Sequence, residues 1–267
     1  MAYMEIRNAT FTYANGFEAI RGLDISIDKG EKVAIIGENG AGKSTTAKLI
    51  NGLLRPTTGD VVIDGMNTKD YTTAQIAKKV GYVFQNPDDQ IFNNTVFNEV
   101  AYTPKYYKFS AEEIERRVSR ALRLTGLDEK RDVNPYDLSY SHRKFVTIAA
   151  VLAMDCELII LDEPTAGQDK EGMDRLAEII STLESEGRIV LTISHDMEFV
   201  VRNFERTIVM AHGNKISDGN KRDIFWQLDK LQEAALHQPY ISQLAREAGM
   251  KEHVITIDGF LDALRRP

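Results

Sequence analysis

Gly37-Glu38-Asn39-Gly40-Ala41-Gly42-Lys43-Ser44-Thr45 constrains this chain more than any other run of residues. It matches G-x-x-x-x-G-K-[ST], a loop that cradles phosphate. Lys32-Val33-Ala34-Ile35-Ile36 before it is an apolar, β-branched strand, and Thr46-Ala47-Lys48-Leu49-Ile50-Asn51 after it reads as the first turns of a helix. A glycine-rich turn could fit the pattern by accident, but the strand–loop–helix setting argues against that. Gly37, Gly40 and Gly42 let the backbone wrap an anion, because side chains there would block its N–H groups. The helix turns its N-terminus, about half a positive charge, toward the same anion. Lys43 is expected to reach the β- and γ-phosphates, and Ser44 to ligate Mg²⁺.

Composition sets the limits. At 267 residues the chain can bury a full core, as one large domain or a domain with an appendage. Apolar content of 43 % and charged content of 27 % are ordinary for a globular protein. A net charge of −7 argues against a nucleic-acid partner, which wants a basic face. No apolar run approaches the roughly 18 to 20 residues that cross a bilayer. Met1-Ala2-Tyr3-Met4-Glu5 has neither a basic n-region nor an apolar h-region, so no signal peptide is expected. Cys156 has no second cysteine to pair with and precedes an apolar strand, so it reads as a buried structural thiol. These features place the protein in the cytoplasm, with attachment to a membrane possible through a partner.

Two partly alternating runs, Met4–Asn8 and Ala19–Ile27, predict antiparallel strands about the turn Ala14-Asn15-Gly16. Val33–Ile36, Lys79–Phe84, Leu158–Leu161 and Ile189–Ile193 are apolar on both faces, as parallel strands covered by helices must be. Between Phe84 and Leu158 the period turns helical. Ser110-Ala111-Glu112-Glu113 has capping-box spacing, and Ile114, Val118, Ala121 and Leu122 share one helical face. Residues 86–153 therefore read as a mostly helical subdomain inserted into an α/β core. Strands return at Arg206–Met210 and Lys215–Ser217, and from about residue 220 the chain is helical. One tail stripe is Leu228, Leu231, Ala235 and Leu236; a second is Ile241, Leu244, Ala245 and Ala248.

Leu158-Ile159-Ile160-Leu161-Asp162-Glu163 is an apolar strand ending in two carboxylates. Such a strand end beside a phosphate loop can put Asp162 on Mg²⁺ and leave Glu163 to orient or deprotonate the attacking water. The plainer reading is a strand followed by an acidic helix cap.

Taken in order over residues 3–220, these motifs resemble the nucleotide-binding subunit of ATP-binding-cassette (ABC) transporters. The resemblance implies a P-loop NTPase (RecA-like) α/β core over residues 1–219, with an antiparallel β subdomain and the inserted helical signature subdomain. It implies that ATP binds with Mg²⁺ on Tyr13, Gly37, Glu38, Asn39, Gly40, Ala41, Gly42, Lys43, Ser44, Thr45 and Gln85. Tyr13 matches the aromatic residue that stacks on adenine; its alternative is a strand residue packed in the core. Gln85 matches the Q-loop glutamine that touches Mg²⁺ or water, and Asp162 completes the metal set with Ser44. Thr165-Ala166-Gly167-Gln168-Asp169 matches the D-loop that crosses a dimer interface, and His195 the switch histidine on the γ-phosphate. Glu163, His195, Gln85 and Lys43 are thereby the expected catalytic residues.

The departures from the pattern matter as much. The family signature Leu-Ser-Gly-Gly-Gln aligns with Leu138-Ser139-Tyr140-Ser141-His142, and Gln168 stands where leucine is usual. The signature acts in trans, on nucleotide held by the other subunit. Ser139 keeps the hydroxyl, and Ser141 and His142 could supply donors, but the Tyr140 ring must turn aside or collide. A homodimer would carry the odd signature in both sites. The expectation is a heterodimer with a related ATPase, in which this chain's phosphate loop meets an intact signature.

Phe84-Gln85-Asn86-Pro87-Asp88-Asp89-Gln90-Ile91-Phe92, continuing through Asn98-Glu99-Val100-Ala101, is similar to the Q-loop region of energy-coupling factor (ECF) vitamin and metal importers. Residues 220–267 are similar to the helical C-terminal extension that helps hold two such ATPases together; the alternative is a cap packed on its own domain. The resemblance implies a second ATPase, a transmembrane coupling subunit and a membrane-embedded substrate-binding subunit, with this chain peripheral on the cytoplasmic face. Asp88, Asp89 and Gln90 are expected to offer acceptors to an arginine of the coupling subunit. Rival readings are a conventional ABC transporter ATPase, a soluble ABC protein of DNA repair or translation, and a regulatory subunit that binds ATP without turning it over.

Overall fold

The computed structural model describes residues 2–250 and 252–265. The chain opens with β1 (Met4–Thr12), β2 (Glu18–Ile27) and β3 (Lys32–Ile36), then α1 (Lys43–Ile50), β4 (Thr58–Ile63), β5 (Met66–Asn67), α2 (Thr73–Ile76) and β6 (Val80–Val83). Three longer helices follow: α3 (Val96–Tyr106), α4 (Ala111–Thr125) and α5 (Tyr140–Met154). The chain returns through β7 (Leu158–Asp162), α6 (Lys170–Ser185), β8 (Ile189–Ile193), α7 (Met197–Asn203), β9 (Arg206–Ala211) and β10 (Asn214–Asn220). It closes with α8 (Lys221–Ile224), α9 (Leu228–Glu233), α10 (Tyr240–Glu247) and α11 (Ile257–Arg265).

Two sheets result. One runs β2-β1-β4-β5 and is antiparallel; the other runs β10-β9-β3-β8-β7-β6 and is parallel except for the β10 edge. Every residue of β7 and β8 is buried, and the two-residue period of a strand then divides them between two cores. Val33, Ile35, Leu158 and Ile160 point to the core shared with the antiparallel sheet. Ala34, Ile36, Ile159 and Leu161 point to the core shared with α3, α4 and α5. This is why the strands read as unbroken apolar runs. The parallel order puts the ends of β3, β7 and β8 at one rim, where a nucleotide site in an open α/β sheet belongs.

Ser110 caps α4, its hydroxyl accepting from the Glu113 amide at 3.2 Å, but the reciprocal half of the expected box is replaced, because the Glu113 carboxylate accepts from Arg116 and Arg117 instead. Val118, Ala121 and Leu122 are fully buried. Cys156 is buried too, which pushes its thiol up to about 12 and leaves it inert as a nucleophile at neutral pH.

The tail differs from its predicted stripes. α9 ends at Glu233, so Ala234 is buried while Ala235, at φ 50°, faces out. In α10 the inward pair is Ser242 and Ala245, spaced by three; Leu244 is half exposed and Ala248 exposed. The start of the tail is bound into the α/β domain itself. Ile224, Phe225, Leu231, Ala234 and Ile255 belong to the same core as β7 and α5. Gln238 donates to the Phe225 carbonyl at 2.8 Å, and the Trp226 indole to Val254 at 3.1 Å.

Candidate nucleotide site

β3 ends at Ile36, the loop turns, and α1 begins at Lys43 with no side chain capping its first N–H groups. Those donors remain available to an anion. The glycines serve packing as well as access. A Cβ on Gly37 would lie 2.2 Å from the Met210 carbonyl of β9, and one on Gly42 would lie 2.8 Å from the Ala19 carbonyl. The loop is wedged against neighbouring backbone, while Gly40 has open space around it. Lys43 Nζ donates to the carbonyls of Gly37 and Glu38, each at 2.8 Å. Burial pulls its ammonium below the usual lysine range, and the charges of Glu163, Asp162 and Glu38 oppose the shift.

The strand ends supply the rest. Asp162 terminates β7; Ser44 donates to its Oδ1 at 3.3 Å, and the Tyr82 phenol donates to its Oδ2 at 2.7 Å. A serine hydroxyl, a carboxylate and the nearby Gln85 amide form a hard oxygen set of the type Mg²⁺ prefers when nucleotide oxygens complete it. Glu163 is buried at φ 48°, its amide bonded to the Ile193 carbonyl of β8 at 2.9 Å. Its Oε2 lies 2.7 Å from Nδ1 of His195, whose ring is largely exposed. Burial raises the Glu163 carboxyl above its ordinary value, while His195 and Lys43 pull the other way.

Tyr13, Phe17, Lys43, Ser44, Gln85 and Glu163 line one cavity of about 330 Å³. Tyr13 packs as its plainer reading expects and also lines the cavity. Its ring packs edge-on against buried Phe11 at 4.8 Å, and its phenol bonds the Thr45 hydroxyl at 3.0 Å, yet it still faces the cavity. Phe17, near-parallel to Tyr13 at 6.5 Å, adds an exposed ring that the sequence reading overlooked.

Ser139, Tyr140, Ser141 and His142 do not line this cavity. Ser139 caps α5, accepting from the His142 amide at 3.3 Å, and its Oγ lies 2.8 Å from His142 Nδ1. Ser141 donates to Gln168 Oε1 at 2.6 Å. The two expected replacement donors are therefore engaged within the chain. The Tyr140 ring has turned aside onto Gly167, with its phenol 3.5 Å from the Gln85 carbonyl. Asp169 caps α6 by accepting from the Gly172 amide at 2.8 Å.

The acidic turn after the Q-loop is less free than expected. Asp88 Oδ1 pairs with Arg143 at 2.8 Å, and Gln90 Oε1 accepts from the Phe84 amide at 3.1 Å, so part of the expected acceptor set is already engaged within the chain. Tyr82 and Lys144 escaped the sequence reading. Lys144 is fully buried and donates to the carbonyls of Phe84 and Gln85. Desolvation pushes its ammonium down to about 8 against the pull of Asp162 and Glu163. A lysine among apolar residues of a helix was the available signal.

Comparison with known proteins agrees with this geometry. The ABC transporter family model matches residues 20–166. The energy-coupling factor transporter ATP-binding protein EcfA of Methanothermobacter thermautotrophicus is 39 % identical over 250 residues, covering 92 % of this chain and 80 % of its own length. The structure of CbiO1 from Clostridium perfringens, described as part of the ABC transporter complex CbiONQ, superposes with a TM-score of 0.78 at 32 % identity, over 92 % of this chain and 99 % of that one. A dimeric ATP-binding cassette in a post-hydrolysis state, bound to ADP and Pi, gives a TM-score of 0.75 at 29 % identity over 82 % and 98 %.

Proposed function

We propose, from the premise that this chain belongs to the ABC transporter family and is one of its ATP-hydrolysing cassettes, that it energises an ECF-type importer of a vitamin, vitamin precursor or metal ion. It does so paired with a related ATPase. The observation that carries the catalytic part is the convergence of Lys43, Ser44, Asp162, Glu163 and His195 on one rim. Lys43 and the loop amides hold the phosphates. Glu163, oriented by His195, takes the proton of the attacking water. Ser44, Asp162 and Gln85 would hold Mg²⁺, which supplies charge neutralisation on the phosphate oxygens. Phosphoryl transfer needs chiefly positioning and electrostatics, and these groups provide both. Binding draws two cassettes together; hydrolysis adds charge and lets them part.

The names EcfA and CbiO1 support the ECF reading. The surface beside the Q-loop supports a membrane partner. Phe92 and Tyr106 are 63 % and 65 % exposed, and Tyr102 stands edge-on to Phe92 at 4.7 Å. Exposed aromatics in a cluster mark a contact surface. Among the described residues no helix is long and apolar enough to cross a membrane, so such a surface is the means of attachment. Buried Glu99 fixes the approach, accepting from the amides of Phe92 and Asn93 and the Asn93 side chain at 2.8 to 3.1 Å. In Phe92→Ser with Tyr106→Ser, the chain is expected to leave the membrane fraction while ATP binding is unchanged. Full membrane retention would refute the docking surface. The half-exposed apolar residues of the tail, Leu244, Ile257, Leu261 and Leu264, supply the ATPase–ATPase contact.

A further inference from the structure

Tyr140 and Gln168 are the two places where a small or apolar residue is expected and a large polar one stands, and the fold brings them to one spot. Ser141 Oγ donates to Gln168 Oε1 at 2.6 Å, and Gln168 Nε2 donates back to the Ser141 carbonyl at 3.5 Å. The Tyr140 ring covers Gly167, where a Cβ would lie 2.9 Å from Cδ1 and 3.1 Å from Cε1. The Gln168 side chain covers Gly172, where a Cβ would lie 2.3 Å from Oε1. Glycines on both sides make room for the two large residues. One turn further along α5, Lys144 holds the Phe84 and Gln85 carbonyls and Arg143 pairs with Asp88. A leucine at 168 could not accept from Ser141, and a glycine at 140 would leave Gly167 uncovered.

We propose that Tyr140 and Gln168 are positioning residues that tie the start of α5 to this chain's own Q-loop and D-loop. The signature then moves only together with Gln85 and Gly167. The inference rests on the composite-site reading, in which this signature serves the partner ATPase's nucleotide while Gln85 serves this chain's own. One body then spans both sites, and the tie restrains closure at the signature-bearing one. The Tyr140 ring is turned aside in cis, onto Gly167.

The test is a double-mutant cycle in the complex purified through this chain from its own membranes. Tyr140→Gly and Gln168→Leu are each expected to raise kcat for ATP by about three- to tenfold, the factor one net hydrogen bond is worth, with KM unchanged and the melting temperature lowered by only about 2 to 4 °C. Tyr140 contacts Gly167 and the Gln85 carbonyl while Gln168 contacts Ser141, so the two links act side by side and the double variant should gain more than either single one. A kcat that fails to rise in the double variant overturns the tie. A complex with a single ATPase copy instead overturns the composite-site reading, and the inter-site role with it.

Discussion

Glu163→Gln is expected to lower steady-state ATP turnover by about 10²- to 10⁴-fold, the range a positioned general base contributes, with ATP binding retained. The change is isosteric. The amide can still meet His195 Nδ1, 2.7 Å away, and the amide N–H of residue 163 can still donate to the Ile193 carbonyl. What disappears is the capacity to accept a proton. The wild-type pH profile carries the same information. Burial raises the Glu163 carboxyl, so it protonates at a higher pH than an ordinary glutamate of about 4.3. Protonated, it cannot act as base, so kcat falls as pH drops through that raised value, and the Glu163→Gln profile lacks this limb. Stopped-time phosphate release across pH, beside equilibrium binding of a fluorescent ATP analogue, measures both. Wild-type turnover in Glu163→Gln would remove the residue from catalysis and favour the regulatory reading.

Lys43→Ala is expected to weaken ATP binding by about a hundredfold or more. A charged hydrogen bond is worth about 1.5 to 3 kcal/mol, and in the proposed site the ammonium serves both the β- and γ-phosphates; each 1.4 kcal/mol is tenfold in affinity. The loop also loses its internal brace, since Lys43 Nζ holds the Gly37 and Glu38 carbonyls. Titration with the same fluorescent nucleotide checks it, and an unaltered Kd would contradict the phosphate-loop assignment.

The parts of the site that a short window carries were legible in the chain. The loop at residues 37–45 is contiguous and flanked by opposite periodicities, and the run ending in Asp162 and Glu163 shows its own strand. The two-sided apolar strands announced two covering layers. Contacts between distant segments were not legible. Tyr82 meets Asp162 across 80 residues, and Lys144 meets Gln85 across 59. No local pattern encodes which carbonyl a buried lysine finds. Tyr140 was recognisable as a problem, but its solution depends on Gly167, which only the fold places beneath the ring. In the tail, short helices misled the period. α9 ends at Glu233, before its stripe is complete, and α10 turns Ser242 and Ala245 inward in place of the expected stripe of Ile241, Leu244, Ala245 and Ala248.

An asymmetric ATPase pair working on a membrane importer has a composition that can be weighed directly. The most direct measurement is gentle detergent extraction of the tagged chain from its own host, with mass spectrometry of what accompanies it. A second ATPase carrying an intact Leu-Ser-Gly-Gly-Gln is expected in equal amount, with two dissimilar membrane proteins. A homodimer of this chain that turns over ATP fully, with no membrane protein attached, would contradict it.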